Sequence, residues 1–431
     1  MTKRPSPAVR PRPLTRFLLP ATLALAMTAP FVSAQITWDN DQLINGPDPV
    51  SISSGTTVTV ASENPDQEIT ISMGDGDETS GTLDVAGTLN LNPQNAAYNL
   101  YVGRNGGTGT LNITGGSITA LYTGTGGYGR LHIGYGVDST GTVNQVGGSV
   151  NLDRGSLAIG RDGGTGTYTL SGNATLAADG YVYVGRNGGN GELILEDTAQ
   201  MTMTSDNDGW FNIGHDASGR GTVTQRGSSI VDVAIGGGIQ LGVGASGAQG
   251  EYVLEGGTLT AQTGGAGFSI GTAAGATGSF TQSGGTAEFK GYSGTVGNVY
   301  VGNAGTGTFT VSGGTSTIRS RVILGNADGS EGTLIIGTED DKVGVLEVGG
   351  TNGIQQGGGD ATFQIAGGTL RVIDGDLTTS VAPELVAGTT STIDTNGRNA
   401  TFSNGFTGTG GFSKVGGGSW TIGGANTLES D

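Results

Sequence analysis

The chain has 431 residues, of which 87 are Gly, 37 are Asp or Glu, 19 are Lys or Arg and none is Cys. Its formal charge of −18 excludes a nucleic-acid binder, which needs Lys and Arg massed against phosphate, and the lack of Cys excludes a disulfide-stapled scaffold. The high Gly content has no Gly-X-Y period, which excludes collagen, and it is interleaved with short alternating runs of Val, Ile, Leu, Phe and Tyr that a flexible linker lacks.

Residues 1–34 read as a secretory signal peptide. Lys3, Arg4, Arg10, Arg12 and Arg16 make a basic segment without acidic residues, an apolar run follows over 17–27, and Val32-Ser33-Ala34 supplies a small-x-small cleavage site. Cleavage after Ala34 leaves 14 basic against 37 acidic residues, a formal charge of −23. The alternative is an uncleaved anchor, but the apolar run, interrupted by Pro20, is short of the ~20 residues a span needs. No other stretch of the sequence reads as a transmembrane helix.

Residues 35–95 show looser alternation, at Val50-Ser51-Ile52, Thr57-Val58-Thr59-Val60 and Gly81-Thr82-Leu83. They are expected to form an N-terminal cap and first coils, with Trp38 covering the open end of the core. Over 96–338 an apolar-x-apolar-Gly tetrapeptide recurs, beginning with Leu100-Tyr101-Val102-Gly103, Leu131-His132-Ile133-Gly134 and Leu157-Ala158-Ile159-Gly160. Further copies end at Gly185, Gly214, Gly242, Gly271, Gly302 and Gly325. The landmark thus recurs every ~28 residues, with enough scatter to imply a constant coil carrying loops of differing length.

After each landmark comes a second strand of the form Gly-Thr-apolar-x-apolar, such as Gly109-Thr110-Leu111-Asn112-Ile113, then a Gly-Gly turn and a third short strand. Period-2 alternation with Gly at every corner predicts an all-β fold, a right-handed parallel β-helix of about three short strands per coil. No single coil can bury its apolar face, whereas stacked coils share one core. The predicted inward column is Leu111, Val143, Tyr168, Leu193, Val223, Tyr252, Phe280, Phe309 and Leu334. Gln145, Gln225 and Gln282 fall in the next column and are expected to bond turn backbone.

From 339 to 431 the period loosens, and the solenoid is expected to continue less regularly. Residues 408–427 carry Gly-Gly-Phe-Ser-Lys at 410–414, a Gly-rich corner, Trp420-Thr421-Ile422 and Gly424-Ala425-Asn426-Thr427. This stretch resembles the autotransporter-associated β-strand repeat, and Gly278 to Thr286 resembles a related repeat of large exported bacterial proteins. The resemblance implies a passenger-type β-helix exported by a Gram-negative-type bacterium, at the cell surface (outer membrane-associated) or extracellular. No barrel translocator follows, so the chain reads either as a fragment of a longer protein or as one released by another route.

Chemistry-bearing residues are sparse. Arg104, Arg161 and Arg186 recur at one repeat position and read as a coil feature, while Lys290, Lys342 and Lys414 each stand alone in their regions. His132 is expected to face outward between inward Leu131 and Ile133, and His215 to lie in a turn, which gives neither a zinc site nor a triad. Acidic clusters stand at 75–78, 206–208 and 339–341. Of these, Asp206 and Asp208 are the weak candidates for incidental Ca²⁺, although neither an EF-hand nor a Ca²⁺-binding nonapeptide is complete. No catalytic residue and no cofactor site is evident.

The expected function is therefore a structural or adhesive surface solenoid, its partners being cell-surface or matrix glycans, other proteins or its own copies, and not nucleic acid. Two alternatives stay open. A polysaccharide-active β-helix lyase or hydrolase would need convergent carboxylates. An ice- or crystal-face binder is suggested by the outward column Thr110, Thr142, Thr167, Thr222 and Thr308, which Glu192 and Glu251 interrupt.

Overall fold

A computed structural model describes residues 34–39, 42–44, 46, 48–61, 69–91, 98–120, 129–152, 155–205, 209–338, 343–424 and 426–428. Every regular element among them is a strand. The chain forms a parallel β-solenoid, in which each strand pairs in parallel with its counterpart one coil further on. Residues 1–33, the side chain of Trp38, Asp206, Asp208 and the cluster at 339–341 lie outside the described residues.

The landmark strands stack into one 15-stranded sheet running from Gln42–Ile44 to Trp420–Ile422. Ile71-Ser72-Met73-Gly74 belongs to this file too, one coil ahead of the first copy read from the sequence. The second and third strands form a single 28-stranded sheet. They count as one sheet because Thr277–Gly291 and Thr306–Ile318 run unbroken through the corner that elsewhere separates them.

Alternation decides what goes inside. All nine residues of the predicted inward column, from Leu111 to Leu334, are fully buried, and the outward Thr file is in register with Glu192 and Glu251 interrupting it. Where four phenylalanines meet, the core is filled by ring packing: Phe280 and Phe309 lie 4.7 Å apart, and Phe268 meets Phe289 edge-on at 4.8 Å.

The buried glutamines close the corners. Gln225 Nε2 donates to Ser229 O (3.0 Å) and Thr258 O (2.8 Å), while its Oε1 accepts the hydroxyl of fully buried Tyr252 at 2.7 Å. Gln145 does the same with Gly148 O, Thr175 O and Tyr168, and Gln282 with Gly285 O, Thr315 O and the hydroxyl of Ser316. Burial of both tyrosines raises their pKa, so each stays a neutral donor.

The landmark glycine is required by geometry. Gly160 has φ +66°, and a Cβ there would sit 1.8 Å from Asn190 O of the next coil. The strand can therefore bend inward at this point only because no side chain intervenes.

Two outcomes are expected in urea unfolding. Gly160→Ala should lose ~2–4 kcal/mol through clash and strain together, whereas Gly188→Ala, with φ +75° but open space around its Cβ, should lose only about 1 kcal/mol. Gln225→Leu should cost about 1–3 kcal/mol by stranding the Tyr252 hydroxyl and two carbonyls, and adding Tyr252→Phe should recover part of that loss. A double variant no better than the single one would mean that the Tyr252 bond carries none of it.

Candidate functional site

In each landmark strand the residue between the two inward apolar ones points out of the 15-stranded sheet. In successive coils this outward file reads Tyr101, His132, Ala158, Tyr183 and Asn212. The position after the landmark glycine gives a second file: Arg104, Tyr135, Arg161, Arg186 and His215. Arg130 and Ser156 pair in a third.

Tight turns fix the arginines. In Arg104-Asn105-Gly106-Gly107 the central residues have φ +52° and +86°, and Gly107 N donates to Arg104 O at 2.9 Å. Asp162-Gly163 and Asn187-Gly188 repeat this left-handed pair behind Arg161 and Arg186. Asn, Asp and Gly are the residues that tolerate such angles. The turns are also laddered to one another, since Asn105 Nδ2 donates to Asp75 Oδ1 and Asn187 Nδ2 to Asp162 Oδ1, both at 2.7 Å.

The side chains then stack. Tyr101 and His132 lie nearly parallel with centroids 5.0 Å apart, and Tyr135 tilts against both. Arg104 lies over Tyr101 and Arg186 over Tyr183, each 4.3 Å from the ring centre, and Arg161 stands 5.4 Å from that of Tyr135. Three of these arginines meet a carboxylate at the turn: Arg104 with Asp75 (3.7 Å), Arg161 with Asp162 (3.2 Å) and Arg186 with Asp216 (3.1 Å). These ion pairs are partly exposed and correspondingly weak. Arg130 has no carboxylate partner among the described residues.

Ala158, itself buried, interrupts the ring file, and a recess of about 190 Å³ lies beside it. Arg130, His132, Ser156, Ala158, Arg161, Tyr183 and Arg186 line it. Among the described residues no carboxylate lines it. A second recess, of about 240 Å³, lies at Arg319, Arg321 and Asp374, but Arg319 is already held by Glu288 at 2.7 Å and Asp374 at 3.0 Å.

His132 does face outward as the sequence suggests, yet it is not exposed. The surrounding side chains leave it 2% accessible, and its Nδ1 has no hydrogen-bond partner among the described residues. Burial, reinforced by Arg161, Arg130, Arg104 and Arg186, lowers its pKa to about 3. His215 ends the strand Phe211–His215 rather than lying in the turn, because its register with Arg186 carries the strand one residue further. Its Nδ1 is 2.9 Å from Asp216 Oδ2, and burial lowers its pKa against the opposing pull of Asp216.

Arg104, Arg161 and Arg186 are thus a coil feature and also neighbours on one face. Lys290 does not stand alone but pairs with Glu288 at 2.9 Å. The residues that complete the face, Tyr101, Arg130, Tyr135 and Tyr183, were not singled out from the sequence. The signal was the x of the apolar-x-apolar-Gly repeat, which varies in chemistry from coil to coil and is legible only once the coils are in register. Among the described residues no three His, Cys, Asp or Glu side chains gather as a metal-ligand set.

Fold and face together define a parallel β-solenoid with a cationic aromatic patch on one flank. No protein-family model matches the chain, and no curated protein or solved structure matches it.

The buried histidine has a consequence for stability. Its folded pKa lies below the ordinary 6.5, so between these values the unfolded chain takes up a proton that the folded chain refuses. Stability should therefore fall as pH drops below 6.5 and stop falling on this account near 3, with about 2 kcal/mol lost by pH 5. Urea midpoints for the wild type and His132→Gln at pH 7 and pH 5 check this. The variant should lack that part of the slope, and equal slopes would mean that His132 is protonated in the fold.

Proposed function

We propose that the chain is an exported, passenger-like β-solenoid with a structural and adhesive role at the cell surface or outside the cell. Supporting export is the leader-like N-terminus. The likeness of residues 408–427 to the autotransporter-associated repeat supports the passenger reading.

The observation that carries adhesion is the patch. In an acidic chain, four arginines, four tyrosines and two histidines lie within five consecutive coils on one face of the 15-stranded sheet, namely Arg104, Arg130, Arg161, Arg186, Tyr101, Tyr135, Tyr181, Tyr183, His132 and His215; Tyr101 and His132 are buried there and the other eight reach the surface. Tyr and Arg are the side chains that anchor binding surfaces, because each combines a large rigid contact area with polar reach. A patch spanning several coils suits an elongated partner lying along the solenoid.

Purified protein should bind cells, extracted matrix or itself in a sedimentation assay, and the native product should be found in the outer-membrane or medium fraction of its source. Failure to bind any of the three would reduce the role to that of a spacer. Recovery from the cytoplasm, with the leader intact, would remove the export reading.

A further inference from the structure

The solenoid core, buried through its length, is left uncovered at its last described coil. One coil earlier Phe402 and Phe406 are buried. In the last coil Phe412 is 37% exposed and Val415 42%, and Trp420 and Ile422 are only partly covered. Trp420 packs on Phe412 at 5.0 Å and on Phe406 at 5.6 Å, which makes this end an aromatic platform. Its backbone is open as well. Ala400 N donates to Ser419 O and Gly423 N to Phe402 O, so by alternation Trp420 and Ile422 turn their N–H and C=O away from the stack. Among the described residues no strand meets them. An apolar end with a free ladder edge is a template for further strands.

The head of the same chain has the complementary form. Each coil runs from landmark to second to third strand. The first described strand, Ala34–Asp39, pairs with Thr56–Ala61 in the third-strand file, while the last, Thr427–Leu428, pairs with Thr407–Gly408 in the second-strand file. The described coils thus stop one strand short of a full turn at the tail and start with that strand at the head. A copy set head-first on the tail would lay Ala34–Asp39 on Gly411–Val415, Gln42–Ile44 on Trp420–Ile422 and Val50–Ile52 on Thr427–Leu428. The order of strands would run through the joint with none missing and none repeated. At the head, Ile52 O accepts from Ala86 N of the next coil, so exposed Ser51 turns its N–H and C=O to the free edge.

Charge fits the same arrangement. Residues 17–103 hold ten acidic side chains and no basic one, whereas 395–428 hold Arg398 and Lys414 and no acidic one. Head and tail therefore attract, and head repels head. A tail-to-tail pair about a two-fold axis would set its strands antiparallel and bring its basic groups together.

We propose that the partner of this open tail is the head of a second copy of the chain, so that molecules stack end to end and continue one parallel ladder. The contact is heterologous and does not close on itself, so it builds filaments rather than a dimer. The proposal rests on the structural part of the proposed role and says how its copies meet; the cationic patch takes no part in it.

Full-chain wild type, Ser51→Pro and Ile422→Pro are compared by sedimentation velocity and electron microscopy over rising concentration, after circular dichroism shows that all three fold alike. Proline at a free edge removes an outward donor and obstructs pairing without costing an internal bond. Wild type should form filaments one solenoid wide that lengthen with concentration. Each variant alone should be monomeric, its association weakened about tenfold or more. The two variants mixed should give a dimer and nothing longer, because the mixture offers one intact tail and one intact head. Should Ile422→Pro fail to fold, Phe412→Glu takes its place. Wild type that stays monomeric would overturn the proposal, as would filaments that both variants still form or dimers that persist in Ser51→Pro alone. Monomeric wild type that still binds cells or matrix would leave the adhesive reading standing, whereas filaments that bind neither would sink adhesion and leave the stacking.

Discussion

The solenoid depends on one close approach repeated along the stack. At the end of each landmark strand a glycine with φ near +70° brings its backbone against the second strand of the next coil, where even a methyl group would overlap a carbonyl. That contact sets the coil-to-coil register, and parallel register brings like positions together: apolar on apolar inside, Thr on Thr outside. Corner glutamines add a second constraint, since each can reach turn carbonyls of its own coil and the next only when the stack is in register.

The same rule makes the patch possible. A solenoid returns each position once per coil, so side chains a full coil apart in sequence become direct neighbours. Stacked rings and arginines on one flank thus follow from a repeat whose outward residues differ among coils. At Ala158 the ring file is interrupted, although the alanine itself stays buried. Function on such a scaffold lies in departures from the repeat.

Charge is arranged against the grain of the composition. Past Gln225, Arg226, Lys290, Arg319 and Arg371 are paired with carboxylates, as with Arg371 between Glu347 and Asp394. Around the recess, Arg161 and Arg186 meet Asp162 and Asp216 at the turns, and Arg130 has no carboxylate partner among the described residues. The strongly lowered pKa of His132 reflects this local field together with burial, since every charged group that shifts it is an arginine.

The sequence by itself determined the class of fold, the three-strand coil, the inward column from Leu111 to Leu334 and the role of Gln145, Gln225 and Gln282, because all of these follow from local alternation and from glycine at corners. It also contained the Gly-Arg-Asn/Asp-Gly-Gly turns, but as a repeat they read only as architecture. Tertiary structure alone decided that Arg130, Arg161 and Arg186 border one recess and that an outward histidine is buried. Coil length differs along the chain, being longer from Gly103 to Gly134 than from Gly160 to Gly185. Outward positions therefore cannot be aligned by counting, and only the hydrogen-bonded register of the stack shows which side chains meet.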